Sequence, residues 1–344
     1  MRDILLRCEK IGKSHKDHWI LKDCSFSLEK GSFSVIVGPS GCGKTTLLEI
    51  LAGLQNKTQG EIWLRGVKGA DPRRIAVVFQ EPTLFPYLSV LENIAFGANQ
   101  NATYDVKKKA EEIAALLELS DRMQQRADTL SGGEKQRVAI GRALMKEADL
   151  ILMDEPFSAL DAPLKHSLGD KLRTLQKQLA LTILYVTHDQ REALRLSDHL
   201  IVMNNGQILQ QGTPKEIYEY PQTTFVAGFV GEPPMNLLEA SVQEGGLVFH
   251  SIFMPFASRM WNVHGPKVIV GIRPSHIRYK EGNPSARCRE IVYYGEHMQA
   301  VIEWEGYELK VVLPSKQRCP ALGEITFDLN DCIFFDFDSR ERID

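Results

Sequence analysis

Gly38-Pro39-Ser40-Gly41-Cys42-Gly43-Lys44-Thr45-Thr46 is the stretch of the sequence that decides the fold. An apolar run from Phe33 to Val37 precedes it, and an apolar-periodic run from Leu47 to Leu54 follows it. This order predicts a buried strand, a glycine-rich turn and a helix. In that context the pattern G-x-x-x-x-G-K-[ST] cradles phosphates, because the backbone N–H groups of the turn and the positive end of the helix converge.

The loop therefore predicts a nucleoside triphosphate site made by the backbone from Gly38 to Thr46. Lys44 is expected to reach the β- and γ-phosphates, and the hydroxyl of Thr45 is expected to bind Mg²⁺. The alternative is a glycine-rich turn that only joins a strand to a helix. We favour the phosphate site because the strand, the motif and the helix agree with one another.

Length and composition limit the class of protein. The 344 residues suggest two domains, and 43% hydrophobic with 25% charged residues is typical of a soluble globular chain. The 41 basic and 44 acidic residues give a net charge of −3, so nucleic acid is not an expected partner. Apolar runs fall short of the roughly 18–20 residues that span a bilayer, and the start of the chain has too short an apolar run for a signal peptide.

The cysteines are scattered and form no C-x-x-C pair, which favours reduced, buried thiols and a cytosolic location. They are Cys8, Cys24, Cys42, Cys288, Cys319 and Cys332.

Three more apolar runs are expected to be buried strands, and each ends in a polar residue. The runs are Ile75–Phe79, ending at Gln80; Leu150–Met153, ending at Asp154-Glu155; and Thr182–Thr187, ending at His188. Helices are expected over Asp105–Leu119 and Pro163–Leu179, and Asn204-Asn205-Gly206 predicts a hairpin. Alternating strands and helices indicate a largely parallel sheet, so these residues are expected to converge on one nucleotide.

Two acidic residues after a buried strand are what an ATPase needs. Asp154 is expected to hold Mg²⁺, and Glu155 to act as general base on the attacking water, an effect of roughly 10²–10⁴-fold. The alternative is an acidic turn that caps the next helix.

Gln80 and His188 carry weaker signals. Gln80 is expected to contact Mg²⁺ or the water, and His188 to bond the γ-phosphate. A lone Gln or His after a strand is more often structural, so both predictions depend on the neighbouring motifs.

Leu130-Ser131-Gly132-Gly133-Glu134-Lys135-Gln136-Arg137 is the most specific feature. The two glycines lie just before a predicted helix, so Ser131 and backbone N–H groups are expected at its positive end. This predicts a second phosphate site, which would serve the nucleotide of a different subunit. The alternative is a linker that caps the helix.

The set of motifs resembles an ABC-transporter ATPase over about residues 1–230. Gly38–Thr45, Gln80, Leu130–Gln136, Leu152–Asp161 and His188 look like its Walker A, Q-loop, signature, Walker B with D-loop, and H-loop. The resemblance implies an α/β P-loop NTPase fold and a homodimer or heterodimer. Two ATP molecules would be held between the P-loop of one subunit and Ser131, Gly132, Gly133 and Glu134 of the other, with Asp161 crossing the interface.

Two positions depart from the family pattern. The aromatic residue expected to stack on adenine falls on His15, and Trp19 is near enough to replace it; we favour His15. Glu134 stands where the family usually has glutamine, a variant that the family tolerates.

The segment Glu81–Val90 resembles the surface on which a membrane subunit docks in importers. It is expected within a helical subdomain of about residues 84–145, with two transmembrane permease subunits docking near 80–96. The alternative is an ordinary hydrophobic patch. Because Gln80 leads into this segment, it could transmit the nucleotide state.

A second domain is expected at 233–344, after an ATPase domain at 1–232. Ala300, Ile302 and Trp304 fall on one face of an expected strand, and Leu309, Val311 and Leu313 follow after the turn Glu305-Gly306, which predicts a small all-β barrel or sandwich. Gly271-Ile272-Arg273-Pro274 and the final Phe335-Asp336 resemble the OB-like (TOBE) regulatory domain of bacterial importer ATPases. Gly231-Glu232-Pro233-Pro234-Met235-Asn236 resembles carbohydrate importers of the maltose and glycerol-phosphate type.

The expected function is ATP hydrolysis that drives solute uptake, and the expected solute is a carbohydrate or a related organic compound. The resemblance implies a peripheral subunit on the cytoplasmic face of the inner membrane, with an extracytoplasmic solute-binding protein as an indirect partner. Importers of polyamines, iron, sulfate or molybdate remain alternatives. A DNA-repair ATPase would need coiled-coil arms, and a translation-factor ATPase would need two cassettes. A purely regulatory nucleotide-binding module would not need Glu155. The trailing β-domain favours an importer over an exporter.

Overall fold

The computed structural model describes residues 3–16, 18–69, 71–99, 102–158, 160–255 and 265–343. Contacts within the chain divide it into two compact units, Met1–Pro214 and Lys215–Asp344. Among the described residues, no helix combines the length and the apolar character needed to cross a membrane.

The first unit contains both strands and helices. Its strands are β1 (Ile4–His15), β2 (His18–Glu29), β3 (Phe33–Val37), β4 (Gln59–Leu64), β5 (Val67–Lys68), β6 (Ile75–Val78), β7 (Leu150–Asp154), β8 (Thr182–Thr187), β9 (His199–Asn204) and β10 (Gln207–Gly212). Its helices are α1 (Lys44–Leu51), α2 (Val90–Ala95), α3 (Val106–Leu116), α4 (Gly132–Met145), α5 (Ala162–Gln178) and α6 (Gln190–Leu196), with 3-10 turns at Pro72–Arg74, Ser120–Arg122 and Ala127–Thr129.

The central sheet has the strand order β10-β9-β3-β8-β7-β6. Every pair from β9 to β6 is parallel, and only β10 runs antiparallel to its neighbour β9. Strands β3, β7 and β8 are buried along their whole length, which is why they are continuous apolar runs in the sequence. The predictions of a largely parallel sheet and of a hairpin around Asn205 are confirmed.

A second, antiparallel sheet has the order β2-β1-β4-β5. It shares one apolar core with α1 and the central sheet, which includes Leu6, Leu21, Leu48, Leu152 and Leu184. Gly43 is part of this packing, because a Cβ there would lie 2.7 Å from Leu21 Cδ2. The sheet therefore holds the phosphate loop from one side.

Helices α2, α3 and α4 pack on one another, and α4 also packs on β6. The region contains the predicted helix Asp105–Leu119, which the structure ends earlier: Asp105 is the N-cap, and Leu117 follows the last helical residue. Glu118 has a φ of 58°, a left-handed conformation that a helix cannot continue. That change of direction explains the shorter helix.

The second unit is mostly β-structure. Its helices are α7 (Pro214–Glu219), which starts at the last residue of the first unit, and α8 (Thr224–Phe229). Its strands are β11 (Asn236–Gln243), β12 (Gly246–Phe249), β13 (Ile252–Pro255), β14 (Lys267–Ile272), β15 (Arg278–Lys280), β16 (Ala286–Tyr293), β17 (His297–Trp304), β18 (Tyr307–Pro314), β19 (Leu322–Thr326) and β20 (Ile333–Asp336), with 3-10 turns at Pro274–His276 and Leu329–Asp331.

These strands form two antiparallel sheets, ordered β13-β12-β11-β14-β20 and β15-β19-β16-β17-β18. The sheets share one core, to which β17 and β18 contribute alternate residues. Ala300, Ile302 and Trp304 are buried as the alternation predicted, and so are Leu309, Val311 and Leu313. The expected small all-β domain is confirmed.

The division between the units lies earlier than the boundary predicted between residues 232 and 233. Ala227 of α8 packs with Met235, Ile269 and Phe335 of the β-domain. The Arg273 guanidinium, 4% exposed, donates to the carbonyl of Val230 at 2.7 Å. The glycine- and proline-containing string at 231–236 thus lies inside the second unit.

Candidate functional site

The carboxyl ends of β3, β6, β7 and β8 meet at one edge of the central sheet, since these strands are parallel neighbours. The loops that follow them carry the phosphate-loop motif, Gln80, Asp154-Glu155 and His188. The structure therefore brings the motifs to the edge where open parallel sheets bind ligands.

The phosphate loop leaves no room for larger residues at its start. A Cβ on Gly38 would lie 2.3 Å from the carbonyl oxygen of Met203 and 2.8 Å from Cys42 Sγ. Gly41 and Gly43 have φ angles of 77° and 104°, in the left-handed region that favours glycine. The motif glycines thus allow both the tight curl and the close packing of the loop.

Lys44, the first residue of α1, points back into the loop. Its ammonium donates to the carbonyl oxygens of Gly38 at 2.8 Å and Pro39 at 2.9 Å, and the residue is only 6% exposed. Cys42 Sγ lies 3.9 Å from the same nitrogen. Burial raises the pKa of the Cys42 thiol, so the thiol stays protonated inside the loop.

The Thr45 hydroxyl lies beside Asp154, where it acts to lower the pKa of the Asp154 carboxyl. Asp154 is 4% exposed, and burial raises its pKa above the usual range; Glu155 adds to this, while Thr45 and Lys44 oppose it. A hydroxyl and a carboxylate in contact beside a phosphate loop are hard oxygen donors of the kind that Mg²⁺ takes.

Glu155 and His188 form a pair. Nδ1 of His188 lies 2.8 Å from Oε1 of Glu155, and the Glu155 N–H donates to the carbonyl of Val186 at 2.9 Å. The backbone of Glu155 has a φ of 43°, which is unfavourable for a residue with a side chain. The Glu155 side chain is 16% exposed and that of His188 is 55% exposed, so the pair faces outward from the sheet edge.

Gln80 follows β6 as an exposed residue. Among the described residues its amide has no hydrogen bond to Thr45, Asp154 or Glu155. A different glutamine binds the backbone next to Gln80. Gln136 of α4 is 1% exposed, and its Nε2 donates to the carbonyl of Phe79 at 2.9 Å. Sequence reasoning gave Gln136 no role, although its place inside the signature stretch was a signal.

Ser131 is the N-cap of α4 and forms a capping box with Glu134. The Glu134 N–H donates to Ser131 Oγ at 3.3 Å, and the Ser131 N–H donates to Glu134 Oε2 at 2.8 Å. The Ser131 hydroxyl also donates to Glu134 Oε2 at 2.9 Å. A Cβ on Gly132 would meet nothing within 4 Å, so the start of the helix is open to a partner.

Three other predicted site residues lie at element ends. Asp161 caps α5, where its Oδ1 accepts from the Leu164 N–H at 3.0 Å. His15 and Trp19 both lie at the tip of the β1–β2 hairpin, where His15 pairs with His18 and Ser14 pairs with Trp19. The choice between His15 and Trp19 for adenine stacking stays a prediction.

A groove of about 540 Å³ lies beside the segment that was predicted to dock a membrane subunit. Phe85 and Phe96, which are 40% and 62% exposed, line it together with Arg142 and Leu54. Asn93, fully buried, shapes the segment: Phe85 N–H donates to its Oδ1 at 2.9 Å, and its Nδ2 donates to the Phe85 carbonyl at 3.0 Å. Sequence reasoning had missed Asn93.

Comparison with known families gives a match over the core of the first unit. The family model described as "ABC transporter" matches residues 21–158. This range begins in β2 and contains the phosphate loop, α4 and the Asp154-Glu155 pair.

Relatives with importer names match most of the chain. The sn-glycerol-3-phosphate import ATP-binding protein UgpC of Ruegeria pomeroyi is 42% identical over 349 residues, which cover 97% of this chain and 98% of that protein. The trehalose/maltose import ATP-binding protein MalK of Thermococcus litoralis is 40% identical, over 75% and 74% of the two chains. The Fe(3+) ions import ATP-binding protein FbpC of Mannheimia succiniciproducens is 37% identical, over 90% of each.

Among solved structures, the chain resembles the ATP-binding cassette MJ0796, solved as a dimer in a post-hydrolysis state with ADP and Pi. The two share 30% identity with a TM-score of 0.56, covering 61% of this chain and 99% of MJ0796.

Proposed function

This chain belongs to the ABC transporter family of ATP-binding proteins, and from that premise we propose that it is the ATP-hydrolysing subunit of a solute importer. ATP is its substrate, and the released free energy drives uptake through partner membrane subunits. The observation that carries the proposal is the meeting of the phosphate loop, the Thr45–Asp154 contact and the Glu155–His188 pair at one sheet edge.

The phosphate loop and Lys44 bind the triphosphate. Backbone N–H groups from Gly38 to Thr46 and the start of α1 face the phosphates, and the Lys44 ammonium exchanges its contacts with the Gly38 and Pro39 carbonyls for phosphate oxygens. Thr45 and Asp154 would hold Mg²⁺, with Gln80 as a further ligand. When bound, the ion neutralises charge on the β- and γ-phosphates.

Glu155 is the general base that takes a proton from the attacking water. His188 orients the Glu155 carboxylate through their 2.8 Å contact and offers its other ring nitrogen to the γ-phosphate. Because the Glu155 side chain is 16% exposed, a water can reach it while the protein still fixes its orientation.

The second half of each site comes from a partner subunit. Ser131, Gly132, Gly133 and Glu134 at the start of α4 face the γ-phosphate that the other subunit holds, and Asp161 lies across the interface. The open space in front of Gly132 and the positive end of a 14-residue helix support this. The dimeric form of the structural relative MJ0796 supports it too.

Replacement of Glu155 tests the proposal. Glu155→Gln keeps the shape of the side chain but removes the base, so turnover is expected to fall by about 10²-fold or more while ATP binding is retained. Size-exclusion chromatography with MgATP is expected to show a persistent ATP-bound dimer. A variant that turns over ATP at the wild-type rate would refute the assignment.

The groove lined by Phe85 and Phe96 is the proposed docking surface for two membrane permease subunits, over about residues 80–96. Exposed aromatic side chains beside a half-buried cation, Arg142, favour a protein contact. Docking there would hold the chain peripherally at the cytoplasmic face of the membrane, while an extracytoplasmic solute-binding protein acts on the other side.

A carbohydrate or glycerol-phosphate-like compound is the proposed solute class. The names of UgpC and MalK support it, and Gly231–Asn236 agrees with it. FbpC, which is named for Fe(3+) import, keeps iron as the alternative. Calorimetry of the solute-binding protein that works with this transporter, titrated with sn-glycerol 3-phosphate, maltose, spermidine and Fe³⁺, tests the choice. Selective binding of either of the last two would replace it.

A further inference from the structure

A buried hydrogen-bonded network surrounds the backbone of His188. The Glu192 carboxylate, on α6 and 5% exposed, accepts hydrogen bonds from the hydroxyls of Tyr185 and Thr187, both at 2.9 Å. Thr187 Oγ1 in turn accepts from the N–H of Asp189 at 3.0 Å. The two neighbours of His188 therefore belong to one network, Thr187 through its hydroxyl and Asp189 through its backbone N–H.

A cation from another helix completes this network. Nζ of Lys165, on α5, donates to Asp189 Oδ2 at 3.0 Å and forms an ion pair with Glu192 Oε1 at 3.2 Å. Burial alone would lower the pKa of Lys165, but the carboxylates of Asp189 and Glu192 outweigh burial and raise it. Lys165 thus stays charged, and the same ion pair helps to lower the pKa of Asp189 against its own burial.

Lys165 also lies one helical turn after Asp161. The Lys165 N–H donates to the Asp161 carbonyl at 2.9 Å, and Asp161 caps the helix through the Leu164 N–H. The first turn of α5 therefore connects the residue proposed to cross the dimer interface with the loop that carries His188.

His188 depends on this support. Its side chain is 55% exposed and is joined to Glu155 by one 2.8 Å contact, so the direction of the ring is set largely by the backbone between Thr187 and Asp189. In enzymes a displacement of about 1 Å at a reacting group can lower turnover by about 10²-fold.

We propose that Lys165 is a positioning residue for ATP hydrolysis: it holds His188 against Glu155 and passes the position of Asp161 in the closed dimer to that pair. The inference rests on the proposed function, because it concerns turnover at the same site. Lys165 itself does not touch the reacting atoms.

Replacement of Lys165 in the full-length chain tests this. Lys165→Met keeps an unbranched side chain but removes the charge, so kcat for ATP is expected to fall about 10-fold, with KM and the Kd for MgATP changed less than about twofold. Lys165→Arg keeps the charge and is expected to restore most of the lost turnover. Thermal melting checks that each variant is folded.

Lys171→Met is the matched control on the same helix. Lys171 pairs with Glu118, and both side chains are about 40% exposed, so this ion pair contributes little to the stability of the fold. Lys171 also lies outside the network around His188. It is expected to leave kcat unchanged.

A double-mutant cycle separates positioning through His188 from a general effect on the fold. In a His188→Ala background, Lys165→Met is expected to cause no further loss of kcat, because the ring that it positions is gone. Asp189→Asn, which keeps a helix-capping side chain but weakens the ion pair, gives a second route if Lys165→Met is unstable. It is expected to lower kcat as well, and not additively with Lys165→Met.

Wild-type kcat in folded Lys165→Met, a rise in KM instead of a fall in kcat, or additive losses with His188→Ala would each overturn the inference. None of these touches the proposed function, which fails only if Glu155→Gln itself keeps normal turnover.

Discussion

At the scale of single residues, Asp154 is a carboxylate whose charge opposes the stability of the fold. It is 4% exposed, and loss of hydration raises its pKa. Because the pKa in the folded chain lies above that in the unfolded chain, ionised Asp154 destabilises the folded state at neutral pH. This penalty disappears as the pH falls below the unfolded value of about 3.9.

Asp154→Asn is therefore expected to raise the melting temperature at pH 7 without nucleotide, and to lose this advantage as the pH approaches 4. The amide removes the buried charge but also a ligand for Mg²⁺, so MgATP should stabilise the wild type more than the variant. Thermal melts between pH 4 and pH 8 measure both effects.

Asp105→Asn is the control for that experiment, since Asp105 is an exposed N-cap of α3 and asparagine caps equally well. Asp105→Asn should have the same melting temperature as the wild type at every pH. An equal or lower melting temperature for Asp154→Asn at pH 7 would contradict the prediction.

The sequence predicted which residues meet at the site but not how their side chains contact one another. Asp154, Glu155 and His188 follow strands of one parallel sheet, and the carboxyl ends of such strands meet whatever the details. The Glu155–His188 contact and the return of Lys44 to its own loop depend on rotamers that tertiary packing selects, and no local pattern encodes them.

At the scale of elements, the start of α4 combines a positive helix end with a carboxylate. Glu134 closes the capping box with Ser131 and lies 3.2 Å from Arg122 Nε. The hydrogen bond from the Ser131 N–H is the main reason why the pKa of Glu134 is lowered. A lowered pKa means that Glu134 stabilises the fold above its unfolded pKa, and that this contribution is lost as the pH falls through the folded value.

Glu134→Gln should preserve the capping box but remove the charge. We expect the free energy of unfolding to fall by about 0.3–1 kcal/mol at pH 7, with the difference shrinking below about pH 4. The ATP concentration at half-maximal turnover should decrease about two- to fivefold, because one negative charge no longer faces the partner's triphosphate. Urea unfolding and steady-state kinetics measure the two effects, and a higher ATP requirement would contradict the trans role of α4.

Helix and strand interiors were predicted well, and their ends less so. β3 and β8 have the expected bounds because each is a buried run with clear breaks. Helix α1 begins at Lys44 and not at Leu47, since the last residues of the phosphate loop are already helical. Apolar periodicity could not show this, because those residues are chosen for phosphate binding.

At the scale of the whole molecule, the contacts divide the chain at Pro214 and Lys215. The segment between this point and residue 232 contacts the β-domain through Ala227 and through the carbonyls that Arg273 binds. Arg273 also stacks on Tyr218, with Cζ 3.9 Å from the ring centroid. The short helices α7 and α8 thus contribute to the stability of the second unit.

A fragment of residues 215–344 is expected to be more stable than one of residues 233–344 by about 2–5 kcal/mol. The shorter fragment would leave the Arg273 guanidinium without its carbonyl partners and without Tyr218. Urea unfolding of the two fragments measures the difference. Equal stability of the two fragments would contradict this prediction and would support a domain boundary at residue 232.

The sequence was enough to predict that the second domain is a β-domain, but not which of its strands are neighbours in the sheets. Alternation in β17 and β18 predicted which side chains enter the core. The placement of β20 beside β14, far earlier in the chain, depends on long-range contacts that a local pattern does not specify. The same holds for α8, whose residues were assigned to the ATPase domain because no local pattern shows that Ala227 packs with the β-domain.

The left-handed backbone of Glu155 has a consequence for evolution in the laboratory. A φ of 43° costs a residue with a Cβ about 1–2 kcal/mol, and glycine would avoid that cost. Screening variants of this chain for heat resistance alone would therefore favour glycine at position 155 and enrich proteins that have lost the base. Only a screen that also demands growth on the imported nutrient would keep glutamate there.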